Sequence, residues 1–238
     1  MAIQKTVIYK EGHMINFAES ALRNIDKNLK LNALTLPKKL ADTRYPFGIF
    51  SLSYKNWAAD KARKVYFMEM KMRVPKMHQQ GIAIYPADGI EMPVFMADIT
   101  WMKKKSICYI NVIPTLRDEA YMENCIAPFN EVHSRFSDLP RDDMPEWMQS
   151  HRTPNTLFYM SNGDYIDGFI AAAHAYLDRY LDMLDSSQPV EDHERHRQIT
   201  AAQSAFCREL VEKDRTRLVL GKVVGKKKAN RIFEEVLV

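Results

Sequence analysis

Met92-Pro93-Val94-Phe95-Met96-Ala97-Asp98-Ile99-Thr100-Trp101 is apolar on both of its alternating faces, the pattern of a strand buried in the middle of a sheet. Around it the period-two habit recurs at residues 47–53, 65–71, 81–85, 94–101, 107–113 and 155–160, each rich in aromatic and β-branched side chains. The links are short and often carry Pro or Asp, so the strands are expected to pair antiparallel. Helical spacing governs the rest. Phe17, Ala21, Ile25 and Leu29 mark a helix over 15–31, and a second is expected over 118–135. After a turn at Asn162-Gly163, a stripe of Tyr165, Phe169, Ala173, Tyr176, Tyr180 and Leu184 marks a long helix. Pro189 breaks it, another helix runs to about residue 213, and shorter ones reach the C-terminus. Strands followed by helices, without βαβ alternation, predict an α+β fold: a three-layer α/β/α sandwich around one antiparallel sheet, as a single domain over 1–238.

The 238 residues are 46% hydrophobic and 27% charged, an ordinary globular balance that buries a core without disulfides or a structural metal. No window offers the roughly 18 uncharged apolar residues of a membrane span. The opening MAIQKTVIYKEGH lacks the charged-then-apolar order of a signal peptide. A cytoplasmic protein is expected, with no membrane partner. Cys108, Cys125 and Cys207 are widely spaced and form no CxxC pair, so they are read as reduced thiols and not as a thiolate metal site. Net charge is +4, gathered at Lys103-Lys104-Lys105, Lys226-Lys227-Lys228 and along 61–76. Each cluster alone reads as a solvated face; together they suit an acidic partner.

Two motif-like stretches fail. Gly221-Lys222-Val223-Val224-Gly225-Lys226-Lys227 has three residues between its glycines where a phosphate loop has four, and no Ser or Thr follows the lysine. His193 and His196 share a helix face, but Glu191, Asp192, Glu194 and Arg195 around them describe a solvated surface, so no metal is expected. Nucleic-acid binding would rest on the basic clusters alone, without a recognised motif.

Three carboxylates stand out. Asp98 lies inside the apolar strand, where an unpartnered ionised carboxylate is costly. It is either satisfied structurally or held neutral by burial, and a neutral carboxylic acid near pH 7 is a proton donor. Glu69 interrupts Val65-Tyr66-Phe67-Met68-Glu69-Met70-Lys71 and shares a face with Val65, Phe67 and Lys71, a face turning from core to solvent. Asp214, in Lys213-Asp214-Arg215-Thr216-Arg217, reads by default as a helix N-cap.

Four ordered segments over about 45–238 resemble the ferredoxin-dependent bilin reductases. They are Arg63-Lys64-Val65-Tyr66-Phe67-Met68-Glu69; Gly81-Ile82-Ala83-Ile84-Tyr85-Pro86 followed by Met92-Pro93 through Asp98; Phe136-Ser137 through Met144-Pro145-Glu146-Trp147; and Lys213-Asp214-Arg215-Thr216-Arg217 with the ending Phe233-Glu234-Glu235-Val236-Leu237. The resemblance implies a pigment pocket between the sheet and the C-terminal helices, with Asp98 as central proton donor, Asp214 as a second acid across the pocket, and Glu69 as the glutamate of phycocyanobilin-forming members. It implies Arg215 and Arg141 as partners for the substrate propionates.

The implied reaction is reduction of biliverdin IXα to a phycobilin by single-electron steps, with no cofactor bound by the protein and a reduced, acidic [2Fe-2S] ferredoxin as external donor. A monomer is expected. The phycocyanobilin branch carries a histidine twelve residues after the glutamate, where this chain has Gly81, and Met96 stands where the family usually has glycine. That departure favours a four-electron product, phycoerythrobilin, over phycocyanobilin. A phycocyanobilin-forming reductase and a non-catalytic bilin carrier are the alternatives.

Overall fold

The computed structural model describes residues 12–102, 105–162 and 165–237. Lys103, Lys104 and Gly163, on which the first basic cluster and the expected turn depend, lie outside them.

Strands β1 (Asn32–Leu34), β2 (Asp42–Arg44), β3 (Phe50–Ala59), β4 (Ala62–Met72), β5 (Met77–Pro86), β6 (Val94–Met102), β7 (Ser106–Ile113) and β8 (Leu157–Ser161) form one antiparallel sheet. Its order is β1-β3-β4-β5-β6-β7-β8, with β2 also paired to β3. The stretch that opened the sequence reading is thus a central strand, flanked by β5 and β7. Strand alternation divides its side chains between two cores. Phe95, Ala97 and Ile99 face helices α1 (Gly12–Leu29) and α5 (Ile166–Ser186), together with Val65, Phe67, Ile82 and Ile84. Val94 lies on the opposite face with Leu52, Tyr54, Tyr66, Met68 and Tyr85. That face is covered by α6 (His193–Lys213), α7 (Thr216–Val224), α8 (Lys226–Ile232) and the C-terminal segment. The expected α/β/α layering is therefore the observed one.

The differences have local causes. The strand expected from residue 47 starts at Phe50, because Pro46–Gly48 makes a 3-10 turn with Phe47 in the left-handed region at φ +60°. Strand β5 reaches back to Met77, four residues before the expected start. The helix expected over 118–135 is broken into α3 (Glu119–Tyr121), single π and 3-10 turns, and α4 (Asn130–Ser134). Pro128 falls at the break; it has no N–H to donate and its ring clashes with the preceding turn. A short helix α2 (Lys38–Ala41) packs at the β3 edge. Among the described residues no helix is long and apolar enough to cross a membrane.

The tyrosines of α5 hold this helix to the sheet through their hydroxyls as well as their rings. Tyr180 donates to the Pro93 carbonyl at 2.8 Å, just before β6, and Tyr176 donates to the Asn155 carbonyl at 2.8 Å. Both rings are fully buried. Tyr180→Phe keeps the packing but strands the Pro93 carbonyl, so the urea midpoint is expected to fall by the equivalent of about 1–2 kcal/mol with an unchanged m value.

Candidate active site

A cavity of about 300 Å³ lies between the sheet and the α6–α7 layer. One wall is sheet: Tyr54, Tyr66, Met68, Met70, Gln79, Met96 and Asp98. The facing wall comes from Leu210, Asp214, Val219, Leu220 and Val223, with Phe233 and Leu237 of the C-terminal segment. Register explains the sheet wall. Tyr54, Met68, Gly81, Asp98, Tyr109 and Phe158 are successive antiparallel partners, a single row across β3 to β8. Period two then places their i±2 neighbours on the same face.

Asp98 sits where this row lacks a side chain. A Cβ on Gly81 would collide with Asp98 Oδ1 and would stand 3.3 Å from the Tyr66 hydroxyl. The carboxyl therefore occupies the space over β5 that any other residue would fill, and the Tyr66 hydroxyl borders the same space. Its hydrogen bond in the structure comes from the Gln79 amide, long at 3.5 Å. Burial drives the Asp98 pKa up from 3.8 to about 7; the Gln79 bond opposes this, and the Asp214 charge adds to the rise. Asp98 keeps partial access, and it lines the cavity. At neutral pH it is poised between acid and carboxylate.

Asp214 closes α6 and turns the chain into α7. Its Oδ1 accepts from the Thr216 N–H at 2.7 Å and from the Thr216 hydroxyl, so the N-cap reading of the sequence describes its bonding. It also lines the cavity, across from the sheet. Burial raises its pKa, with the Thr216 bonds opposing, and His151 and Arg217 pulling the same way as those bonds. One residue thus caps a helix and presents an acid to the cavity.

Glu69 is elsewhere. Alternation turns it to the α1–α5 side of β4, away from Asp98, and it does not line the cavity. His78 and Gln80 bond it at 2.9 and 3.1 Å, and Lys71 pairs with it at 3.1 Å. The His78 bond is the largest influence holding its pKa down at about 2, so it is an ionised structural carboxylate and not a proton donor. The pocket place implied for Glu69 is corrected accordingly: Met68, one residue earlier, faces Gly81 and the cavity. Neither expected arginine lines the cavity. Arg215 is exposed, and Arg141, also exposed, acts on His133 and Tyr176, the latter in α5 on the far side of the sheet. The arginine whose charge reaches Asp214 is Arg217, with a buried Nε that has no hydrogen-bond partner.

Sequence reasoning passed over the phenols. Tyr54, Tyr66 and Tyr85 line the cavity, and burial, reinforced by the Asp98 charge, pushes all three well above the usual range. They stay protonated and can donate hydrogen bonds. The signal was strand parity: Tyr66, Met68 and Met70 alternate with Glu69.

The family model for ferredoxin-dependent bilin reductases matches residues 18–238. This chain belongs to that family. It is 24% identical, over 93% of both chains, to a Gloeobacter violaceus protein named 15,16-dihydrobiliverdin:ferredoxin oxidoreductase. A Nostoc punctiforme protein of the same name is 23% identical over 65% of each chain. The fold is that of tomato phytochromobilin synthase, solved with biliverdin: TM-score 0.81 at 17% identity, over 94% of this chain and 81% of that one. The chain is accordingly a ferredoxin-dependent bilin reductase.

A raised Asp98 pKa is also a statement about stability. The folded state holds this proton more tightly than the unfolded chain, so the contribution is complete below about pH 4 and is lost as pH rises through about 7. Asp98→Asn removes the loss. Unfolding titrations should find the variant and the parent converging near pH 4, and the variant more stable above pH 7 by roughly 2–4 kcal/mol, the lower part of the range allowing for access through the cavity.

Proposed function

We propose that this reductase delivers protons from Asp98 to a one-electron-reduced bilin held against the sheet, and that its product is phycoerythrobilin. The observation that carries the reading is the position of Asp98: a carboxyl on the wall of an apolar cavity, bonded only at 3.5 Å by Gln79 and with no ion-pair partner among the described residues, where burial raises its pKa to about 7.

Saturating one double bond needs two electrons and two protons. Ferredoxin delivers electrons singly, and each one makes the conjugated pigment more basic. Asp98 gives one proton, becoming a carboxylate beside the Tyr66 hydroxyl. Asp214, on the opposite wall, supplies the second site of protonation. The apolar residues keep bulk water from quenching the intermediate elsewhere. The three phenols, too weakly acidic to give up protons, offer hydrogen bonds that orient the pigment.

The names of the two relatives differ from the substrate expected from sequence, biliverdin IXα, and are compatible with the expected product. 15,16-Dihydrobiliverdin is biliverdin already reduced by two electrons, so two further electrons bring it to the oxidation level of phycoerythrobilin. Those relatives favour the partly reduced pigment as the substrate. Gly81, in place of the histidine of the phycocyanobilin branch, leaves Asp98 as the acid on the sheet wall and fits that assignment.

Anaerobic spectra with reduced ferredoxin test this, using biliverdin and 15,16-dihydrobiliverdin in parallel. Conversion of the dihydro pigment to phycoerythrobilin is expected, with biliverdin turning over more slowly. Asp98→Asn should bind pigment with near-parental affinity and lose about 10²-fold or more in rate. A bound pigment whose spectrum never changes under reduction would leave only a carrier.

A further inference from the structure

The cavity has an end wall that is also part of the outer surface. Met72 and Met77, which flank the β4–β5 turn, line the cavity and also line a depression outside it, with Gly48, Lys71, Arg73, Lys76 and Trp101. Met72 and Met77 are the residues that the two spaces share.

The loop over 45–49 crosses this end. On the helical side the Tyr45 hydroxyl donates to the Val223 carbonyl at 2.6 Å. On the sheet side the Arg73 N–H donates to the Ile49 carbonyl at 3.0 Å, and its guanidinium to the Phe47 carbonyl at 3.5 Å. The loop presents Phe47 outward, 88% exposed, from a left-handed conformation that costs a bulky side chain energy. Val74, at the tip of the neighbouring turn, is 77% exposed, and Ile49 is 49% exposed. Three large apolar groups held in water, one against its backbone preference, mark a contact surface. Arg73 and Lys76 line the adjoining depression, together with Lys71, whose charge is shared with Glu69, and Lys76 also lies over the Trp101 ring, 5.4 Å from its centroid.

We infer that this apolar patch with its basic rim is the docking site of the electron donor, a small acidic ferredoxin. The inference rests on the functional reading above and adds to it the place where electrons arrive. Charge complementarity selects the occupant. An acidic carrier is steered to the lysines and arginine, Phe47 and Val74 are covered on contact, and the donor's cluster comes to rest beside Met72 and Met77, which line the cavity. One electron crosses per encounter, the donor is oxidised by one unit, and the pigment takes its proton from inside.

The test compares two donors, reduced ferredoxin and reduced methyl viologen, the latter too small to need a docking surface. Val74→Asp adds a repelling charge, Val74→Lys an attracting one, and Phe47→Asn removes the ring with a residue that tolerates positive φ. At low salt, Val74→Asp and Phe47→Asn should raise the KM for ferredoxin about tenfold and Val74→Lys should lower it, with pigment affinity and the viologen-driven rate unchanged. A ferredoxin KM that stays within about twofold in all three variants overturns the docking site, as does an equal loss with both donors. Parental protein that turns over with viologen and not with ferredoxin also overturns it, while leaving the functional reading intact. Parental protein that reduces pigment with neither donor overturns both.

Discussion

A carboxylic acid can hand a proton to a reduced pigment at neutral pH only if its surroundings keep that proton on it until the electron arrives. In this chain burial over a missing side chain gives Asp98 such surroundings, and the proposed role rests on them. The strand row that runs from Tyr54 to Phe158 has a gap at Gly81, and the carboxyl lies across it. Water is displaced by Tyr66, Met68 and Met96 around it and by the helical layer opposite. The eight-stranded sheet, with its far face anchored by the tyrosines of α5, serves as a rigid plate that keeps this gap in register.

The same plate separates two kinds of acid. Asp98 and Glu69 both interrupt apolar strands, yet alternation sends them to opposite faces. One meets an apolar cavity, and burial holds its proton up to about pH 7; the other meets His78, Gln80 and Lys71, which hold its pKa down at about 2. Environment decides the chemistry, and a shift of one residue in a strand decides the environment.

Much of this was legible in the sequence. An Asp in a strand apolar on both faces could only be central, and the α+β order followed from strands preceding helices without alternation. The parity of Val65, Phe67, Glu69 and Lys71 already placed Glu69 on a face leaving the core, and the structure agrees with that reading over the role implied by resemblance. What stayed hidden depended on how the helices settle on the sheet. Nothing local distinguishes Arg215 from Arg217; the turn made by Asp214 buries part of the second and leaves the first in solvent. Arg141 sits near β8, and only the completed sheet reveals that it acts on the wrong side. The break in the helix over 118–135, by contrast, was written at Pro128, and there the apolar periodicity outweighed a residue that should have counted more.

Methionine supplies much of the cavity wall: Met68, Met70, Met72, Met77 and Met96. Thioether side chains are flexible and polarizable, so this wall can adapt to an occupant that changes shape. They also make the chamber vulnerable from within. Sulfoxide formation at any of the five would plant a polar group in the wall around Asp98. Pliancy of the wall and its sensitivity to oxidation are thus two properties of the same side chains.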